Sequence, residues 1–311
     1  MIWFGVVLTI LGATIMAFYA ISQRKLFSRG RSDDDRPAES VVSGSAMIVG
    51  AIALFSAFFL SGQAADVQPG FWKFVAMTGT LNIVISYCGF KAMQTKDDVS
   101  LVIPIRDTTP SVVVLVSWLI TGEVPTTFGY IGIILLVMGT YTLNVQTLVD
   151  KLYAGHWSWR AFLEPWLALG RLRGVRYALV ASCIGCVAIT YDGLAARAGN
   201  PLLAIACVMS FSAVAHTARA GLTGFGKQFF ELRRGMPWGG IGLGLLYATS
   251  AALYYSSFRF LIVAYQATVK RTETLMVLIL AYVILGERKD FRTRLVAVGL
   301  MVAGTVCIIW H

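Results

Sequence analysis

Ten apolar runs, each about twenty residues long, follow one another along 311 residues with polar breaks between them. A run of that length crosses the roughly 30 Å hydrocarbon core of a bilayer as an α-helix. Hydrocarbon offers the backbone no water, so every N–H and C=O must be paired within the protein, and only helices or closed barrels achieve this. Barrel strands alternate polar and apolar residues over about ten positions, whereas these runs are continuous. The sequence therefore predicts an all-α membrane protein. Its spans fall near 2–22, 41–61, 70–92, 98–121, 126–147, 175–196, 199–219, 239–260, 264–285 and 291–310. With 57% hydrophobic and 14% charged residues, composition excludes a soluble domain of this size.

A net charge of +10 raises the question of nucleic acid. The placement of the charge answers it. Twenty of the 26 Lys and Arg residues lie on the 1–2, 3–4, 5–6, 7–8 and 9–10 connections, against only Lys73, Arg197 and Arg259 on the alternate ones. The positive-inside rule then puts the basic connections in the cytoplasm and both termini outside, with no nucleic-acid partner implied. The first run is as long as a full span and no basic residue precedes it, which predicts a retained helix in an inner or plasma membrane rather than a cleavable signal. All five cysteines fall inside spans. Cys183-x-x-Cys186 has no accompanying His or third Cys, so it reads as helix packing, and neither a metal nor another cofactor is expected.

The two halves of the chain repeat one another. Tyr87-x-x-Phe90-Lys91 ends the third span and Tyr255-x-x-Phe258-Arg259 the eighth. Gly122-Glu123 follows the fourth span and Gly286-Glu287 the ninth, and Gly139-Thr140 recurs as Gly304-Thr305 in the fifth and tenth. Five spans is an odd number, so the second half enters the membrane in the opposite sense to the first. The expected organisation is two inverted five-helix repeats, 1–147 and 175–311, joined by a cytoplasmic linker over 148–174. Trp157, Trp159 and Trp166 among the linker's basic residues suit the membrane interface and its lipids.

Three cations remain inside spans: Arg106, Lys270 and Arg271. An ionised side chain near the bilayer centre costs at least ~2.5 kcal/mol and persists where it meets a wet cavity, a partner or a substrate. Aligning the fourth span with the ninth sets Arg106 opposite Lys270, Asp107 opposite Arg271 and Thr109 opposite Glu273. Each cluster lies roughly 25 Å from the glycine-glutamate end of its helix, so the two clusters flank the midplane from opposite sides. One reading gives Arg106, Lys270 and Arg271 to an anionic substrate. The other lets Asp107 and Glu273 pair with those cations internally, which still leaves one positive charge over. Either carboxylate is also a candidate for coupling to protons. Tyr87, Tyr255 and Tyr265 are candidates to line the cavity. His216 reads as a proton relay or a packing histidine, Asp192 as a gate or a helix terminus in water, and Glu123 and Glu287 as capping or gating residues at the membrane surface.

The ten-span plan, the glycine-glutamate after the fourth and ninth spans and the glycine-containing helix that follows each resemble the drug/metabolite transporter superfamily. Within it, Ile105-Arg106, Pro110 and Val116-Ser117 resemble the fourth span of triose-phosphate and nucleotide-sugar translocators. Ala267-Thr268-Val269-Lys270-Arg271 is similar to their phosphate-binding lysine-arginine pair. The resemblance implies a secondary transporter, a monomer or homodimer, moving a small organic anion such as a phosphorylated metabolite or nucleotide-sugar by alternating access. A flippase for a lipid-linked phosphate or sugar, and an exporter of amino acids or drugs, are the rival expectations. No nucleophile elbow, paired acids or ligand cluster points to an enzyme.

Overall fold

The protein is described by a computed structural model over residues 1–28, 39–94, 109–152, 159–167, 171–224, 237–285 and 291–310. Among the described residues it forms helices only. These are α1 (Ile2–Ser28), α2 (Glu39–Leu60), α3 (Phe71–Gln94), α4 (Thr109–Thr121), α5 (Thr127–Leu152), α6 (Trp159–Leu167), α7 (Arg173–Ala198), α8 (Pro201–Leu222), α9 (Pro237–Ser257), α10 (Val263–Val269), α11 (Thr272–Leu285) and α12 (Phe291–Ile309). Short α6 lies in the central connection, and α10 and α11 together occupy the expected ninth span, so the remaining elements follow the expected ten in order. Among the described residues α1, α2, α7 and α8 each carry an apolar stretch long enough to cross a membrane, and α3, α4, α5 and α12 carry shorter ones.

Packing pairs one half of the chain with the other. Helix α3 lies against α7, and α9 against α1; α2 packs on α8 and on α9, and α3 on α8; α4 touches α7 as α11 touches α1. Exchanging the first five spans for the last five maps each of these pairs onto another pair in the set or onto itself. The contact of α5 with α12 maps onto itself in detail. A side chain on Gly304 would come within 2.7 Å of the Gly132 carbonyl and crowd Leu136, and one on Gly139 would come within 2.7 Å of the Ala297 carbonyl and crowd Met301. Leu136 and Met301 are both fully buried. Thr140 Oγ1 donates to the Leu136 carbonyl at 2.8 Å, and Thr305 Oγ1 to that of Met301 at 2.9 Å. Lipid tails are as apolar as leucine, so helices in membranes associate by close backbone approach across small residues. The repeated glycine-threonine pair of the sequence is thus one half of a self-complementary crossing.

Gly304→Leu should force α5 and α12 apart. The expected outcome is a fall of about 2 kcal/mol or more in stability, by the overpacking range, read as a lower melting temperature in detergent. An unchanged melt would mean that the crossing does not hold the halves together.

Candidate functional site

Helix α10 is buried along its whole length and packs on α1, α4, α5 and α7. It ends where the sequence places its cations. Lys270 N–H still reaches the Gln266 carbonyl at 2.9 Å, four residues back. The next donors reach back only three: Arg271 N–H to Thr268 O at 3.0 Å, Glu273 N–H to Lys270 O at 3.0 Å and Thr274 N–H to Arg271 O at 3.1 Å. This tightening to 3₁₀ geometry interrupts the single span expected over 264–285, and such a stretch in mid-helix often marks a hinge. Hydroxyls help to satisfy the backbone around it. Thr268 Oγ1 donates to Ala264 O at 2.7 Å and Thr272 Oγ1 to Val269 O at 2.8 Å.

Beside the break lies a cavity of about 160 Å³, at the meeting of α1, α2, α3, α7, α8, α9 and α10. Lys270, Gln266, Asp192, Tyr254, Tyr255 and His216 give its wall polar character. Lys270 Nζ sits 4.5 Å from the centroid of the Tyr254 ring, a cation–π contact. Asp192 Oδ1 accepts from Thr78 Oγ1 and from Tyr255 Oη, and Asn82 Nδ2 donates to Thr78 Oγ1 at 3.4 Å. That chain joins α3, α7 and α9 around one carboxylate. Asp192 was expected as a gate or as a helix terminus in water; α7 continues to Ala198, which leaves the carboxylate on the cavity wall instead.

The other candidates separate. Among the three tyrosines, Tyr255 lines this cavity. Tyr265 is buried elsewhere, where its hydroxyl accepts the Thr126 N–H at 2.9 Å at the start of α5. Tyr87 is about half exposed, with its ring 6.0 Å from the Arg219 guanidinium. Arg271 and Glu273 are half-buried at the start of α11, and neither lines the cavity. Arg106, Asp107 and Glu287 lie outside the described residues. His216, about two thirds of the way along α8, marks the far end of the cavity.

Phe258, which also lines the cavity, is held by a tie of charges. Gly122, at φ +73°, turns the chain out of α4 in a left-handed conformation that suits glycine. Glu123, released by that turn, pairs with Arg197 at the end of α7, and its second oxygen accepts the Val263 N–H at 3.0 Å. Glu123 therefore caps the positive N-terminal end of α10 from another helix. Arg197 also donates from Nε to Phe258 O at 2.8 Å and from Nη2 to Leu261 O at 2.7 Å. One guanidinium thus joins α4, α7 and the turn between α9 and α10. In the sequence Arg197 is only one of three cations on the sparsely charged side, because its partners are 61 to 74 residues away. Gln266 carried a readable signal that was missed: it stands one helical turn before Lys270, which puts both on one face.

Known proteins give this architecture a place. Residues 3–145 match the model of the EamA-like transporter family. Over that stretch, somewhat under half of the chain, the sequence is similar to the EamA-like transporters, a branch of the drug/metabolite transporter superfamily. A solved crystal structure of a protein superposes on 98% of this chain and 97% of its own, with a TM-score of 0.69 and 13% identity. At that identity the likeness establishes the fold alone. No curated protein matches the sequence. With four described helices long and apolar enough to cross a membrane, the chain is a multi-pass membrane protein with a likeness to a transporter family, and the match says nothing of a triose-phosphate branch.

Arg197→Gln should lower stability by about 1–3 kcal/mol, since the Glu123 carboxylate and two carbonyls lose charge-assisted donors. Glu123→Gln should do less damage, because an amide oxygen still accepts from Val263. Thermal unfolding of the purified variants measures both, and a wild-type melt for Arg197→Gln would show the tie to be incidental.

Proposed function

We propose that this EamA-like protein is a secondary transporter that moves a small organic anion by alternating access between two inverted five-helix repeats, 1–147 and 175–311. The linker over 148–174 lies along the cytoplasmic face of an inner or plasma membrane, and both termini are outside. The observation that carries the reading is Lys270, placed in a cavity wall where the buried helix α10 gives way to α11. Interrupted helices that meet a central cavity are the usual substrate sites of inverted-repeat transporters. A lysine ammonium in the cavity wall supplies the positive charge that an anionic guest needs. Arg271 next to it and Arg106, its counterpart in the first repeat, supply further positive charge as the repeats move. Asp107 and Glu273 pair with these cations or couple transport to protons.

The size of the cavity bears on the substrate. About 160 Å³ is below the roughly 300–1,000 Å³ of drug-sized sites. It favours a small carboxylate or phosphate over a nucleotide-sugar or the head group of a lipid-linked one. The Asp192 carboxylate in the same wall supports a second reading, export of amino acids, in which it receives the substrate's ammonium while Lys270 holds the carboxylate.

Lys270→Gln and Arg271→Gln should each reduce flux of small organic acids into proteoliposomes at least tenfold, about 1.4 kcal/mol of lost stabilisation, with the protein still folded and inserted. Wild-type flux in both variants would sink the anion reading. Accessibility of a label at His311 tests the orientation separately, and a cytoplasmic C-terminus would show it to be inverted.

A further inference from the structure

Gln266 is a polar side chain in the middle of a helix whose every residue is buried, and it is itself only 1% exposed. Its Oε1 has no hydrogen-bond partner among the described residues, yet the residue lines the cavity one turn before Lys270. A buried acceptor left unpaired is destabilising and is normally avoided. In a low-dielectric interior such an acceptor costs more than it would in water. Thr268 and Thr272 show that α10 and its junction otherwise satisfy their polar atoms locally. The amide of Gln266 is therefore an unpaired acceptor on a residue of the cavity wall.

We propose that Gln266 is a specificity-determining residue, accepting a hydrogen bond from an O–H or N–H group on the solute whose anionic group is held by Lys270. The transported acids then belong to the donor-bearing class, hydroxy-acids and their phosphate counterparts, and the unsubstituted acids of the same size are rejected. Rejection follows from the site rather than from the solute. An analogue without the donor fills the cavity and leaves the amide oxygen unpaired, and sites built around such a bond discriminate far more sharply than those that only sense size. The Asp192 carboxylate adds to the same preference from the opposing helices, since it too can only accept while ionised. This inference rests on the anion reading and extends it.

The test compares acids in pairs that differ by hydroxyl groups: lactate with propanoate, malate with succinate, and glycerol 3-phosphate with propyl phosphate. Binding is read as thermal stabilisation of the purified full-length protein, which reports ligand affinity directly. In the wild type, the hydroxylated member of at least one pair should bind at least tenfold more tightly, and Gln266→Met, similar in shape but a much weaker acceptor, should abolish the preference. Unliganded Gln266→Met should melt at or above the wild-type temperature, because it removes an unpaired buried acceptor. Equal binding within every pair, a preference that survives in Gln266→Met, or a lower melting temperature of the unliganded variant would each overturn the assignment. If none of the six acids stabilises the wild type, the anion reading fails and takes this inference with it. Equal binding within pairs leaves the anion reading standing and removes only the role of Gln266.

Discussion

The constraint on which the structure depends is the pairing of backbone polar groups away from water. It dictates helices, and it also dictates how a helix can be interrupted. At Lys270 and Arg271 the chain leaves α geometry by shortening its hydrogen bonds from four residues to three, and threonine hydroxyls reach nearby carbonyls. An interruption made that way is inexpensive in a buried setting and can hold ionised side chains beside a cavity.

The second constraint is that apolar attraction between helices is weak in lipid. Cohesion between the halves has to come from shape. The α5–α12 crossing supplies it with small residues that bring carbonyls close, and it does so twice, by equivalent residues related through the internal repeat. The contact pairs of the remaining helices obey the same exchange. Each half therefore finds its packing partners mainly in the other, so the cavity between them is a product of the whole chain.

Much of this was legible in the sequence. Runs of apolar residues located the spans, the repeated Gly139-Thr140 and Gly304-Thr305 pairs marked equivalent positions in the two halves, and Lys270, singled out by its charge, stands in the cavity wall. These features are local, or become local once the halves are aligned. What escaped was tertiary. The break at Lys270 is a choice between two hydrogen-bonding patterns that the same residues permit. The position of Asp192 on the cavity wall depends on α7 continuing for six residues beyond it, to Ala198. The Arg197–Glu123 tie joins residues from different helices, and nothing in either local segment announces the other. Gln266 was legible and passed over, since a single glutamine in a strongly apolar run draws less notice than a lysine four positions on.

Helix α10 has a mechanical consequence. It is a rod of seven residues, about 10 Å long at 1.5 Å per residue. At one end Glu123 caps it, and through Glu123 it is bound to Arg197; at the other it delivers Lys270 to the cavity. No loop or glycine intervenes to absorb a displacement. Whatever shifts Lys270 along the axis of α10 therefore acts on the Glu123–Arg197 pair as well. By thermodynamic reciprocity, releasing that pair shifts the position of Lys270 in turn.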